Sequence, residues 1–207
     1  MQPEAEVRPQ NTTANHTVPP SASSVNWGTA LNYWTEFVAD RDQVTGDYTG
    51  TTDEILQWVS CKWGIDVNLV RADAWQESSW TQSEVGDNCG TPGEASYGIL
   101  QVKNKDCSGD WVHGGWPYTQ DDTALDADYW GSRLRACFDG AFYNGGSWLY
   151  NGQTIAQVIA QHGEDYALWG CVGSWFSGGW YDSGAQSYIS QVESLYASQP
   201  WRTLGAQ

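Results

Sequence analysis

The sequence predicts a mainly α fold (α+β), a helical bundle with one small β-hairpin region, and three observations carry that prediction. Capped stretches with apolar residues at helical spacing recur in both halves of the chain. A Gly- and Pro-punctuated segment with short β-prone runs lies between them. No apolar run of about 18 residues and no internal repeat suggests any other architecture.

Residues 1–25 are Ser-, Thr-, Asn- and Pro-rich with almost no apolar periodicity, which predicts a disordered tail or linker ahead of a domain spanning 26–207 with its core at about 51–197. Trp27 to Val38 restores rings and aliphatics, predicting a short docking helix that ends before Gly46 to Gly50. Thr51 with Glu54 forms a capping-box signature, and Ile55, Leu56, Val59 and Trp63 follow at helical spacing until Gly64. Asp66 can cap the next helix, whose Val67, Val70 and Ala74 share a side. At about 100° per residue Glu77 falls within about 20° of Val70, an acid on the edge of an apolar stripe.

Thr81 to Lys103 reads as an irregular hairpin region, with Tyr97 to Val102 as candidate strand. Thr123 to Tyr143 is helical in pattern, although Gly131 and Gly140 weaken it. Thr154 to His162 predicts a short helix closed by Gly163. Trp169 to Tyr181 reads as a Gly- and Trp-rich loop. Ser183 to Ala197 predicts a longer helix with Tyr188, Ile189, Val192, Leu195 and Tyr196 inward.

The formal net charge of −16 argues against nucleic-acid and anionic-membrane partners, because counterion release needs Lys and Arg, and these number only 9. Aromatics make up 14% of the chain, with 14 Trp, against 16% charged residues. Such a surface suits sugars, whose CH faces lie on rings and whose hydroxyls meet amides. The first 20 residues lack the apolar stretch of a signal peptide. The five cysteines (Cys61, Cys89, Cys107, Cys137, Cys171) show no metal-ligand spacing and predict up to two disulfides and one free thiol. The expectation is a mature, extracellular, monomeric protein that needs no metal and no cofactor. Asn11 and Asn15 each begin an N-x-T triplet, a glycosylation signal only on a eukaryotic secretory route. His113 and His162 stand in no nucleophile pattern and are expected at the surface or at helix ends, with His16 in the tail.

Cleaving a glycosidic bond requires a protonated acid beside the leaving oxygen, and a carboxyl at the rim of an apolar pocket keeps its proton to higher pH. Glu77 is the residue whose position fits. Residues 74–80 read AWQESSW, 96–102 SYGILQV, 141–146 AFYNGG and 187–192 SYISQV. In this order and at these intervals they resemble the lysozyme-like domain shared by soluble lytic transglycosylases and goose-type lysozymes. That resemblance implies a lysozyme-like fold with Glu77 as acid/base on its catalytic helix and Ser78 orienting it. It further implies Gly98, Ile99, Leu100 and Gln101 along a substrate-lining hairpin, Tyr143 and Asn144 in a turn facing the cleaved bond, and Tyr188 with its hydroxyl near the catalytic carboxyl.

The chain departs from the family pattern at Leu100, which replaces a Met; at Phe142, which looks inserted; and at Gly145–Gly146, which replaces an Ala-Gly ending. Lys103 stands where goose-type lysozymes carry an Asp that positions water. The resemblance leaves two routes open: anhydro-ring formation with one carboxylate, or inverting hydrolysis with a second acid, for which Glu94, Asp87 and Asp106 are candidates. The expected partner is peptidoglycan or a related amino-sugar glycan. Rival readings are a chitin-type glycan hydrolase, a non-catalytic wall-binding module that stacks sugar on Trp169 to Trp180, and an acidic interaction protein that meets a basic partner.

Overall fold

A computed structural model describes residues 5–143 and 149–204. Eight α-helices occur among them: α1 (Thr35–Arg41), α2 (Thr52–Trp63), α3 (Val67–Ser78), α4 (Tyr118–Asp121), α5 (Thr123–Asp139), α6 (Ile155–His162), α7 (Glu164–Ser177) and α8 (Ser183–Ser198). Between α3 and α4 lies a three-stranded antiparallel sheet of β1 (Val85–Gly86), β2 (Ser96–Tyr97) and β3 (Val102–Lys103), in that order. Its register pairs Val85 with Tyr97 and Ser96 with Lys103. The fold is therefore mainly helical with a small hairpin region, and no described helix is long and apolar enough to cross a membrane.

α5 is the hub. Almost all of its residues are buried, and α1, α2 and α7 pack around it, while α3 lies between α2 and α8. Asp122, just before it, and Asp126 and Asp128 within it act through hydrogen bonds, and Gly131 through close contact. Asp122 caps the helix by accepting from Leu125 N at 2.9 Å. Asp126 accepts from Leu100 N at 2.7 Å and so pins the β2–β3 turn. Asp128 gathers Lys62, the Trp63 indole and the Thr45 and Gly46 amides. Gly131 lies where a Cβ would sit 2.3 Å from the Trp63 ring, so the helix accepts a glycine in order to let α2 approach.

Local signals built the helices at the expected places. The Thr51–Glu54 box closes with both reciprocal bonds, 3.2 and 2.8 Å, and Thr154–Gln157 forms another. Asp66 caps α3, and Gly64 and Gly140 end α2 and α5 in the left-handed conformation.

Three expectations are corrected. Residues 5–25 are not a free tail: they form three short 3-10 turns, and Asn11 and Asn15 are buried. Asn11 Nδ2 donates to Trp80 O at 2.8 Å and its Oδ1 accepts from Gln82 N at 2.9 Å; Asn15 Nδ2 donates to Glu6, which also receives the Thr52 amide. These polar anchors need no apolar periodicity, and both asparagine amides are engaged inside the fold, so neither can carry a glycan in this conformation. The first helix begins at Thr35 rather than Trp27, because Trp27 instead forms a β-bridge to Gly114. Trp169 to Tyr181 is not a loop but mostly α7. Its glycines serve close packing: a Cβ on Gly170 would lie 2.4 Å from the Trp180 ring, and one on Gly173 2.8 Å from Ile189.

Two disulfides, Cys89–Cys107 and Cys137–Cys171, tie the hairpin region and join α5 to α7, and Cys61 is free and exposed. Bonds of this kind fit an oxidising compartment.

Candidate functional site

α3 ends at Ser78, and its chain reverses through Ser79 and Trp80, both with positive φ (51° and 63°). Left-handed backbone at two successive non-glycine residues is strained, and the burial of Trp80 with its indole donating to Arg71 O at 2.9 Å holds it. This abrupt stop leaves Glu77 on the last turn, half-buried, at the edge of a cleft of about 550 Å³. The cleft runs between the hairpin (Gly86, Asp87, Ser96, Gln101, Lys103) and the end of α7 (Ser174 to Gly178), with Trp111, His113 and Arg133 also along it.

Tyr188 of α8 brings its hydroxyl 2.5 Å from Glu77 Oε1, and the same hydroxyl forms a very short bond with Asp73, one turn earlier on α3. One hydroxyl carries one hydrogen, so it donates to only one of the two carboxyls, and the other must supply a proton of its own. Asp73 is wholly enclosed; burial and then the Glu77 charge push it well above the carboxylate range, against the pull of Tyr188 and Trp130. Asp73 is therefore the acid that stays neutral, which frees the Tyr188 hydroxyl to point at Glu77. Burial above all, and the Asp87 charge, raise Glu77 while hydrogen bonds from Tyr188 and Trp175 lower it, and the balance lies at about 7 against the ordinary 4.5. The negative end of the α3 dipole opposes charge at the same place. Phe176 stacks flat on Tyr188, with ring centroids 5.0 Å apart, and fixes the phenol from outside.

The other expected site residues divide. Gln101 borders the cleft, held by Nε2 donating to Gly98 O at 2.7 Å. Gly98 has φ +87°, and a Cβ there would lie 2.4 Å from Asp126, so it serves the turn backbone. Ile99 and Leu100 are corrected as lining residues: both side chains are fully buried in the core, and their amides are taken by Gln82 and Asp126. Ser78 does not orient Glu77. Its hydroxyl donates to Ile99 O at 2.8 Å and accepts from Thr81 N, joining the helix end to the hairpin. Tyr143 is 41% exposed on a separate depression beside Tyr33 and Trp34, away from Glu77. Asn144 lies outside the described residues.

Of the candidate second acids, only Asp87 borders the cleft, and it pairs with Lys103 at 2.9 Å. Asp106 instead caps a turn by accepting from Ser108 N and Asp110 N, and Glu94 lies against Gly109 beyond the cleft lining. His113 is half-buried along the cleft and stands at no helix end. Its ring stacks on Trp175 at 5.1 Å, its Nδ1 meets the Tyr129 hydroxyl at 3.1 Å, and burial with the nearby Arg133 and Lys103 charges pushes it down to about 3. His162 does end α6 and is exposed. Within the segment expected to grip sugar, Trp180 is buried and Trp169 packs edge-on to Tyr196, while Trp175 lines the cleft.

Sequence reasoning missed Asp73, Trp175, His113 and Arg133. A signal existed for the first: Asp73 is four residues before Glu77 and so shares its helix face. Trp175 was concealed by the loop reading of its segment.

The arrangement is a carboxylic acid poised near neutrality in an aromatic-walled cleft, with a phenol fixing its orientation and a neutral acid beneath. No protein-family model matches this chain, and no curated protein matches it.

Proposed function

We propose that this chain is a secreted peptidoglycan-cleaving enzyme of lysozyme-like fold, a muramidase that cuts the β-1,4 bond between N-acetylmuramic acid and N-acetylglucosamine with Glu77 as general acid/base. The observation that carries the proposal is Glu77 itself, a half-buried carboxyl held by Tyr188 at 2.5 Å and raised to about 7 at the edge of an open cleft. An acid of that strength still carries its proton in about half of the molecules at pH 7, and protonation of a leaving glycosidic oxygen requires that form. A non-catalytic wall-binding module would have no use for it.

Glu77 gives its proton to the leaving oxygen as the C1–O4 bond breaks. In the favoured route the muramic acid C6 oxygen then bonds to C1, and its hydrogen returns to the Glu77 carboxylate, closing a 1,6-anhydro ring. One carboxylate suffices for both transfers. Engagement of Asp87 by Lys103 and the positions of Glu94 and Asp106 away from the cleft favour this route over inversion. The second reading is inverting hydrolysis with Asp87 as base, supported by its place on the cleft and its effect on the Glu77 pKa.

Mass spectrometry of products released from purified peptidoglycan tests both. Anhydro ends are expected; reducing ends would transfer the reaction to the hydrolytic route. Release of products by a Glu77→Gln variant at the wild-type rate would remove Glu77 from the chemistry, and release from chitin but not from peptidoglycan would change the polymer.

A further inference from the structure

Arg133 is a cation inside a protein of net charge −16, yet among the described residues it has no carboxylate partner. It projects from the middle of α5, is 4% exposed, and forms no hydrogen bond or ion pair among the described residues; its Nε is enclosed without a partner. The Phe142 ring lies beneath the guanidinium at 3.8 Å, so one face is occupied by a π-system while no described residue takes a hydrogen bond from its edge. Such a charge is costly to bury alone, since removal from water is repaid only by pairing. The residue borders the same cleft as Glu77. The other cation along that cleft, Lys103, is already paired with Asp87, and the His113 imidazole is held neutral beside Arg133.

We infer that Arg133 is a specificity-determining residue that receives a carboxylate borne by the glycan, so that the cleft prefers an acidic amino-sugar chain to an uncharged one. This deepens the proposed function and rests on the reading of the cleft as a glycan site. A guanidinium presents a planar fork of donors that matches a carboxylate in two parallel bonds, and a fork held in place on the cleft with no acceptor among the described residues is preorganised for a ligand to complete it. The negative protein surface would repel a polyanionic wall at long range, and this buried positive charge gives the acidic substituent a local reason to enter. Two sources present the required group: the lactyl carboxylate on the sugar, and the carboxylates of an attached peptide.

Calorimetric binding to the Glu77→Gln protein, which leaves glycans intact, separates these cases. The ligands are chitotetraose, a tetrasaccharide of alternating N-acetylglucosamine and N-acetylmuramic acid with free lactyl groups, and its peptide-bearing form. Roughly tenfold or tighter binding of at least one carboxylated ligand over chitotetraose is expected, weakening as salt rises. Which of the two carries the preference identifies the source. Adding Arg133→Gln is expected to bring that ligand down to the affinity of chitotetraose, and Arg133→Lys to give a partial loss, with circular dichroism verifying that each variant is folded. Equal affinity for charged and uncharged glycans overturns the inference while leaving the glycan site intact, and this comparison needs no change at Arg133. A preference that survives Arg133→Gln also overturns it. Absence of binding by all three glycans overturns the glycan reading and this inference with it.

Discussion

Replacing Glu77 with glutamine is expected to stabilise the protein at neutral pH while abolishing its activity. The folded structure holds this carboxyl at about 7 against an ordinary 4.5, so between those two values the native state binds more protons than the unfolded chain. Stability contributed at this position therefore falls as pH rises through that window and stays low above it. At about 1.4 kcal/mol per tenfold the full effect is about 3 kcal/mol, and screening by the water that reaches a half-buried group reduces it to ~1–3 kcal/mol. Glutamine has nearly the same shape and still offers Tyr188 an acceptor oxygen, but it never ionises. Urea unfolding of both proteins from pH 4 to 8 measures the difference. Subtracting the two curves largely cancels the contributions of Asp122 and Asp126, whose carboxyls burial also raises. The variant's advantage is expected to be small at pH 4, to grow through pH 5 to 7 and then to level off. A difference independent of pH would refute the reasoning, because it would mean that the carboxyl ionises as readily in the folded state as in the unfolded one.

Further outcomes follow from the same geometry. Tyr188→Phe removes the hydroxyl that orients and acidifies Glu77, so kcat is expected to fall roughly 10–100-fold, and the alkaline limb of the pH profile to move upward; an unmoved limb would separate the phenol from the acid. Changing Cys89 and Cys107 together to serine opens an 18-residue loop and is expected to cost about 3 kcal/mol in urea unfolding. Gly170→Ala drives a methyl group against the Trp180 ring and is expected to cost about 1–3 kcal/mol, measured as a lowered melting temperature. Asn11→Ala leaves the Gln82 amide and the Trp80 carbonyl without their partner and is expected to cost a similar amount, about 1–3 kcal/mol by the same measurement.

What the sequence made legible was local. Thr51, Asp66 and Thr154 act within three residues of themselves, so α2, α3 and α6 could be read directly, and the apolar stripe placed Glu77 at its edge. Contacts that cross the chain were hidden. Asn11 grips Trp80 and Gln82 through amide groups, which carry no hydrophobic period, so an anchored segment looked like a tail. Gly170 and Gly173 looked like breakers, although their small size is what lets α7 meet Trp180 and α8. Tyr188 lies 111 residues from Glu77 and was expected there only through resemblance, while Asp73 became visible as a partner only when α8 delivered the phenol between the two acids. The resemblance misdirected at Ile99 and Leu100, since a motif does not say which of its residues point into the core, and at Tyr143, which lies exposed on a separate depression.

The central claim is that one carboxyl at the end of α3 keeps its proton into the neutral range. Carbon-13 NMR of the Glu77 side-chain carboxyl, followed from pH 3 to 9 in the folded protein, measures it without substrate or substitution. A midpoint near 7 is the result predicted here. A midpoint near 4.5, the value of a freely hydrated glutamate, would contradict the account.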